Sequence, residues 1–156
     1  MSPTTNALAR DYDLFTFMRA SHRAMDRAFE RLLDALAAND QLEVHSNWVQ
    51  VEAELLAHME TEERFVLPAF ARVELGHATA LLGEHASIRQ QLLELGVAVE
   101  LHFLRLEPCK QFIATLRAHA QREDELLYRW AAGRLDANLV EAATWHLDGL
   151  RGKNRQ

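Results

Sequence analysis

The sequence has little of what interrupts helices or cross-links a chain. Only three of its 156 residues are proline and six are glycine. Few such residues, together with many Ala, Leu, Glu and Arg residues, favour helix over sheet. The single cysteine, Cys109, allows neither an intrachain disulfide nor a cysteine-based zinc site.

Long apolar runs and clusters of positive charge are also missing. No apolar stretch is long enough to cross a bilayer, and residues 1–10 lack the apolar run of a signal peptide. We therefore expect a cytoplasmic protein without a membrane partner. The net charge is −6 and no basic stripe is present, which argues against nucleic acid as a partner.

Apolar residues recur at steps of three and four along four segments, which is the spacing of one helical face. The first helix is predicted to begin at Asp11 or Asp13, either of which can act as an N-cap, and to end near residues 39–40. The second should bend or end at Pro68, with the next turn at Gly76. The third is predicted to begin at about His77.

The fourth helix is predicted from Pro108 to Gly133, and a shorter fifth helix over about 135–150 should pack across one end. The pattern predicts an all-α, up-down-up-down four-helix bundle with a core over about 11–132, in a single domain spanning 1–156. The segment from His85 to Leu106 would form about 32 Å of helix, against about 17 Å from Pro108 to His119. The third helix should therefore either overhang the fourth or break after Gly96.

Each apolar stripe is interrupted by polar residues that should lie at one level of the core. The predicted metal-ligating residues are His22 on the first helix, His58 and Glu62 on the second, His85 on the third, and His119 and Glu123 on the fourth. Unpaired carboxylates in a core cost several kcal/mol or more. Hydrogen bonds among the six would satisfy some of these groups, and metal ions would satisfy them better.

Neutral imidazole and carboxylate ligands suit iron, manganese or zinc. Six such ligands fit two ions, each bound by two histidines and bridged by the carboxylates. Asp26 follows His22 by one helical turn and is a weaker candidate ligand or outer partner. Arg89 is expected either to pair with Asp26 or a bridging glutamate, or to extend into solvent.

Other polar residues have less definite expectations. Tyr128, Glu84 and Met59 are candidates for pocket or outer positions, and His102 is expected to be an ordinary core histidine. Charge runs on helices are usually solvated, which is the expectation for Glu63, Asp124 and Glu125. The remaining histidines have no predicted role: His45, His77 and His146.

The segments SHRAMD, HMETEERFVLPAF, EHASIR and HAQREDELLYRWA resemble the four metal-binding helices of the hemerythrin-like, or HHE cation-binding, family. The resemblance covers about 14–132. It implies a non-haem di-iron site within a four-helix bundle. By position, the terminal ligands would be His22, His58, His85 and His119, and the bridging carboxylates would be Glu62 and Glu123.

Two positions depart from the oxygen-carrying members of that family. Arg89 stands where those carriers have a second histidine on the third helix, and Glu123 lies four residues after His119, where they have an aspartate at a five-residue step. Four histidines and two glutamates resemble instead the di-iron domain of the repair-of-iron-centres proteins. Those proteins also carry an N-terminal cysteine-bearing segment, which this sequence lacks.

The resemblance favours a protein that binds a small diatomic ligand, O₂ or NO, for sensing or a stress response. No general acid is evident for the pocket, which favours binding over catalysis. The alternatives are a di-iron redox enzyme that reduces peroxide or NO, a repair or iron-donor protein, a store of iron or another cation, and a metal-free interaction bundle. The sequence does not predict an oligomeric state.

Overall fold

A computed structural model of the chain describes residues 4–132 and 134–153, and within these ranges every regular element is helical. The bundle consists of α1 (Thr4–Ala37), α2 (Gln41–Thr61), α4 (Leu75–Glu100) and α5 (Leu106–Arg122). A π-helical turn, π1 (Glu62–Val66), and α3 (Leu67–Ala71) continue α2. A second turn, π2 (Glu123–Tyr128), and α6 (Arg129–Ala131) continue α5, and α7 spans Ala137–Lys153.

Two separate apolar clusters form the core. One contains residues of the four long helices, including Leu32, Val51, Leu92 and Phe112. The other lies around the continuations of α2 and α5 and includes the α7 side chains Val140, Ala143 and Leu147. The predicted C-terminal helix therefore exists and buries its apolar face against one end of the bundle. Within the described residues, no helix is long and apolar enough to span a membrane.

The first helix begins earlier than the sequence predicts. Because α1 starts at Thr4, Asp11 and Asp13 lie inside it and neither is an N-cap. No glycine or proline occurs between residues 4 and 37, and an interior aspartate costs under about 1 kcal/mol of helix stability. Asn39 has a left-handed φ of 55°, and the Asp40 carboxylate accepts a hydrogen bond from the Glu43 amide at the start of α2.

The second helix does not end at Pro68, which was one of the two predicted outcomes. Pro68 is the second residue of α3, which follows directly after π1, so the irregular π-helical turn precedes the proline. The helix ends at Ala71, and the turn spans residues 72–74. Gly76 lies within the first turn of α4 rather than in the turn itself.

The third helix does not break at Gly96. It continues to Glu100, and His102 follows the helix with a left-handed φ of 59° and an exposed side chain, so it is not a core histidine. The fourth helix starts at Leu106, two residues before Pro108. From His85 to Glu100 and from Leu106 to His119 the helices rise about 22 Å and about 20 Å, so the expected mismatch disappears. Gly133, the predicted stop of the fourth helix, lies outside the described residues.

Candidate metal centre

The six residues predicted from the helical stripes lie together between the two apolar clusters. Their side chains are buried, with exposures of 9% for His22 and no more than 5% for the others. The donor atoms form two groups, each with all its atoms within 4.8 Å of one another: His22, His58, Glu62 and Glu123 in the first, and His85, His119 and Glu123 in the second. Glu123 belongs to both.

The carboxylates lie among the Nε2 atoms of the four histidines. Glu123 Oε1 is 3.3 Å from His22 Nε2 and 3.2 Å from His119 Nε2, and its Oε2 is 3.5 Å from His85 Nε2. Glu62 Oε1 is 2.8 Å from His58 Nε2. One imidazole edge from each of α1, α2, α4 and α5 therefore faces the same small volume.

Many of these donor atoms have no hydrogen-bond partner. They are both carboxylate oxygens of Glu62, both carboxylate oxygens of Glu123, and the Nε2 atoms of His85 and His119. A buried polar atom without a partner costs about 1–3 kcal/mol, and charged groups cost more. Metal ions would satisfy all of these atoms at once, so the residues fit a metal centre built from nitrogen and oxygen ligands.

Each histidine has a polar partner at its outer nitrogen, Nδ1. His22 Nδ1 is 3.3 Å from Asp124 and His85 Nδ1 is 3.3 Å from Glu63. His119 Nδ1 is 2.5 Å from Glu84, and His58 Nδ1 is 3.0 Å from the Ser21 hydroxyl. A carboxylate can only accept, so it favours the tautomer with the proton on Nδ1 and leaves the Nε2 lone pair for the centre.

Arginines support two of these outer carboxylates. Arg89 donates two hydrogen bonds of 2.6 Å to Glu63, and Arg122 Nε lies 2.7 Å from Glu84. Burial is the largest single effect and raises the pKa of Glu63, but Arg89 and His85 together outweigh it and lower the pKa below its ordinary value, so the carboxylate stays ionised. The sequence predicts that Glu63 and Asp124 are solvated. In the structure, each of them instead lies against a histidine of the centre.

Arg89 pairs neither with Asp26 nor with a bridging glutamate. Asp26 is half exposed and lies 2.6 Å from Arg117, on the side of α1 that faces α5. It makes no contact with the centre that the structure records among the described residues. Arg89 instead acts on the centre through Glu63 and His85.

The protonation states of the metal-free centre differ between its members. Burial and the neighbouring Glu123 raise the pKa of Glu62 well above its ordinary value. Burial also raises the pKa of Glu123, but its close contacts with Glu62 and with the surrounding histidines outweigh this effect and hold the pKa low. Burial lowers the pKa of His22, whereas Asp124 and Glu123 raise it to about 9. The metal-free centre therefore pairs an ionised Glu123 with a protonated His22.

Both candidate bridging glutamates are the first residue of a π-helical turn, a feature that the sequence analysis missed. Such turns occur frequently at functional sites. In each turn two consecutive acidic residues face different targets. Glu62 and Glu123 face the centre, and the following Glu63 and Asp124 contact histidines of other helices. The acidic pairs four and five residues after His58 and His119 are the signal that could have indicated this.

Tyr128 is a further member of the site. Its side chain is 2% exposed, and its hydroxyl lies 2.9 Å from His58 Nε2. Burial and the neighbouring Glu62 carboxylate raise the pKa of Tyr128 well above its ordinary value, so it stays protonated. Met59 is fully buried and lines a cavity of about 350 Å³ that reaches His22, His119 and Glu123 from the α1–α5 side.

An all-helical bundle with a buried cluster of histidines and glutamates defines a class of metal-binding helical proteins. A comparison with family models identifies the class more closely: the model described as the hemerythrin HHE cation binding domain matches residues 13–131. The chain therefore belongs to the hemerythrin HHE cation-binding family. No curated protein and no solved structure gave a significant match. The family match does not single out the repair-of-iron-centres proteins.

Proposed function

We propose that the centre holds two iron ions. One ion would be bound by His22, His58, Glu62 and Glu123, and the other by His85, His119 and Glu123, with Glu123 as a bridge. Glu62, the other buried carboxylate, is the second candidate bridge. The observation that carries the proposal is the convergence of these unpartnered donor atoms inside the core. Zinc or manganese would suit the same ligands.

We further propose that the protein binds O₂ or NO reversibly, in sensing or a stress response. Reduced iron would supply open coordination positions and electrons for such ligands. The chain's own residues hold the imidazoles in place and limit access of water. Met25, Phe29, Leu55 and Leu116 form an apolar wall next to the centre, each no more than 5% exposed. The second group offers only three donors, which leaves it the more open.

We also propose an up-down-up-down course of the four helices within a single cytoplasmic domain. The order of the apolar clusters supports this topology. Along α1, Met18 of the cluster near α7 precedes His22, whereas Met25 of the other cluster follows it. Along α5 the order is reversed, with Leu116 before His119 and Leu127 after it. Along α4, Leu81 of the cluster near α7 precedes His85 and Ile88 of the other cluster follows it, whereas along α2 and π1 Leu55 precedes His58 and Val66 follows it.

Anaerobic reconstitution with Fe(II) tests the proposal. Elemental analysis should give about two iron ions per chain, and a visible absorption band should appear with O₂ or NO and disappear under vacuum. Rapid multiple turnover with peroxide would instead favour an enzyme. About one zinc per chain and no bound iron would contradict the di-iron proposal.

Variants test the ligand assignment. H58A and E123A should each lose most of the bound iron. H45A is the matched control. His45 is half exposed, lies against Glu100, and belongs to neither donor group of the centre. Iron content that is unchanged in both H58A and E123A would overturn the assignment.

A further inference from the structure

The cavity next to the candidate centre is much larger than a diatomic ligand requires. It lies between α1 and α5, with α2 as its floor, and has a volume of about 350 Å³. A water molecule occupies about 30 Å³ in the liquid, so the cavity volume corresponds to about twelve water molecules. Pockets of this size bind organic molecules. Its inner wall is apolar and includes Met25, Phe29, Leu55 and Leu116.

The lining of the cavity includes three arginines, which differ in their partners, and three carboxylates, those of Asp26, Glu123 and Asp124. Arg117 is bound to Asp26 and Glu30, each at 2.6 Å, and ties α1 to α5. Arg19 lies 3.8 Å from Asp124. Arg23 is exposed, and the structure records no ion pair or hydrogen bond between it and any other residue of the described ranges. Its guanidinium is therefore available to a ligand in the cavity.

We propose that this cavity binds an organic monoanion with an apolar tail, represented by a saturated monocarboxylate. The carboxylate would pair with the Arg23 guanidinium, whose fork geometry accepts two carboxylate oxygens. The tail would lie on the apolar wall, with its far end directed toward His22 and His119. This proposal depends on the proposed function in one respect, the presence of metal ions at the inner end of the cavity.

Octanoate is a suitable probe because it joins a single carboxylate to a saturated apolar tail. Calorimetric titration of the iron-loaded protein should show binding of one octanoate per chain. Octanamide and octylammonium have the same tail with a neutral and a positive head. Both should bind more weakly, because neither a neutral amide nor an ammonium head can form the ion pair with Arg23.

The R23Q variant should weaken octanoate binding about fivefold, the effect of one partly exposed ion pair. R27Q is the matched control, since Arg27 is an exposed arginine on the same helix that does not line the cavity. R27Q should leave octanoate affinity unchanged. Equal losses in the two variants would mean general charge attraction and would overturn the proposal.

A second pair of variants tests the cavity itself. Ala120 lines it, whereas Ala118 is exposed and does not. A120L should abolish octanoate binding with the iron content unchanged, and A118L should bind octanoate normally. Unimpaired binding to A120L would place the ligand elsewhere and overturn the proposal.

The outcomes separate this proposal from the proposed function. A protein that takes up no iron contradicts the di-iron centre, whatever octanoate does. A protein with two iron ions that binds none of the three probes contradicts only the cavity proposal. A shift of the visible iron spectrum with octanoate, unaffected by R23Q, would mean that the carboxylate binds the metal directly, which overturns the role of Arg23.

Discussion

Removing the metal ions should lower the melting temperature of the protein by at least about 10 °C. The structure gives the reason. Six donor atoms of Glu62, Glu123, His85 and His119 are buried without a hydrogen bond. When the ions are absent, the contacts of 3.2–3.5 Å between Glu123 and the histidines offset only part of the resulting cost. The unfolded chain carries no such cost, because water forms hydrogen bonds with the same atoms.

The magnitude follows from linkage between binding and folding. An ion present at a thousand times its dissociation constant stabilises the folded state by about 4 kcal/mol. In a domain of about 150 residues, each kcal/mol shifts the melting temperature by about 2–4 °C. One ion is therefore worth about 8–16 °C, and a second ion adds to this.

Differential scanning calorimetry under anaerobic conditions measures the effect, with Fe(II) in one sample and a chelator in the other. E123Q should abolish most of the shift, because Glu123 belongs to both donor groups and a neutral amide is a poor ligand. E125Q is the matched control, since Glu125 is exposed and accepts a hydrogen bond only from Gln121 among the contacts recorded. A shift below about 2 °C in a protein shown to hold two ions would refute the reasoning.

Three further predictions concern residues around the centre and the third helix. R89M should weaken iron binding about tenfold, measured by competition with a chromophoric chelator, because Glu63 then holds His85 less firmly. Below pH 9 a metal ion must displace the proton of His22, so affinity should rise about tenfold per pH unit between pH 7 and 9. D124N should end this rise at a lower pH, because Asp124 helps to raise the pKa of His22. G96A should stabilise the protein by about 0.5–1 kcal/mol in thermal unfolding, because an added Cβ would make only ordinary contact with Trp48, at 3.5 Å.

K110M removes an exposed ion pair with Glu107, so a tenfold loss in it as well would contradict the reasoning for Arg89. The raised pKa of His22 stabilises the metal-free protein by about 3 kcal/mol below pH 6.5. This stabilisation should be lost as the pH rises through 9. A metal-free protein equally stable at pH 7 and 9.5 would contradict this. Destabilisation by G96A would mean that Trp48 cannot accommodate the methyl group.

The sequence was sufficient to predict the inward-facing residues but not their outer partners. Helical spacing places His58 and Glu62 on one face regardless of the neighbouring helices. The contact between Glu63 and His85 depends instead on how two helices are rotated and on the π-helical turn between them. The same holds for Glu84 and His119. Periodicity in a single helix contains no information on such rotations.

Helix ends were predicted less well than helix faces, for a related reason. Pro68 and Gly96 are breakers by intrinsic preference, yet both lie within helical segments. Pro68 follows the irregular π-helical turn π1, and Gly96 lies beside the ring of Trp48. Tertiary contacts outweigh preferences of about 1 kcal/mol, and these contacts are not visible in the order of the residues.

The two donor groups are unequal, which predicts that iron ions load in two steps. The first group has four donors, whereas the second has three, because the position one turn after His85 is Arg89. Arg89 cannot ligate and instead strengthens the Glu63 contact that orients His85. With fewer donors, the second group should bind its ion more weakly.

Titration of the metal-free protein with Fe(II) should therefore show two separate binding steps. H85A removes a donor from the second group alone, so it should abolish the weaker step and leave the tighter one nearly unchanged. H58A, which removes a donor from the first group, is the reciprocal variant and should affect the tighter step. Loss of both steps together in H85A would mean that the two ions bind as one cooperative unit, in which Glu123 couples them too strongly for separate steps.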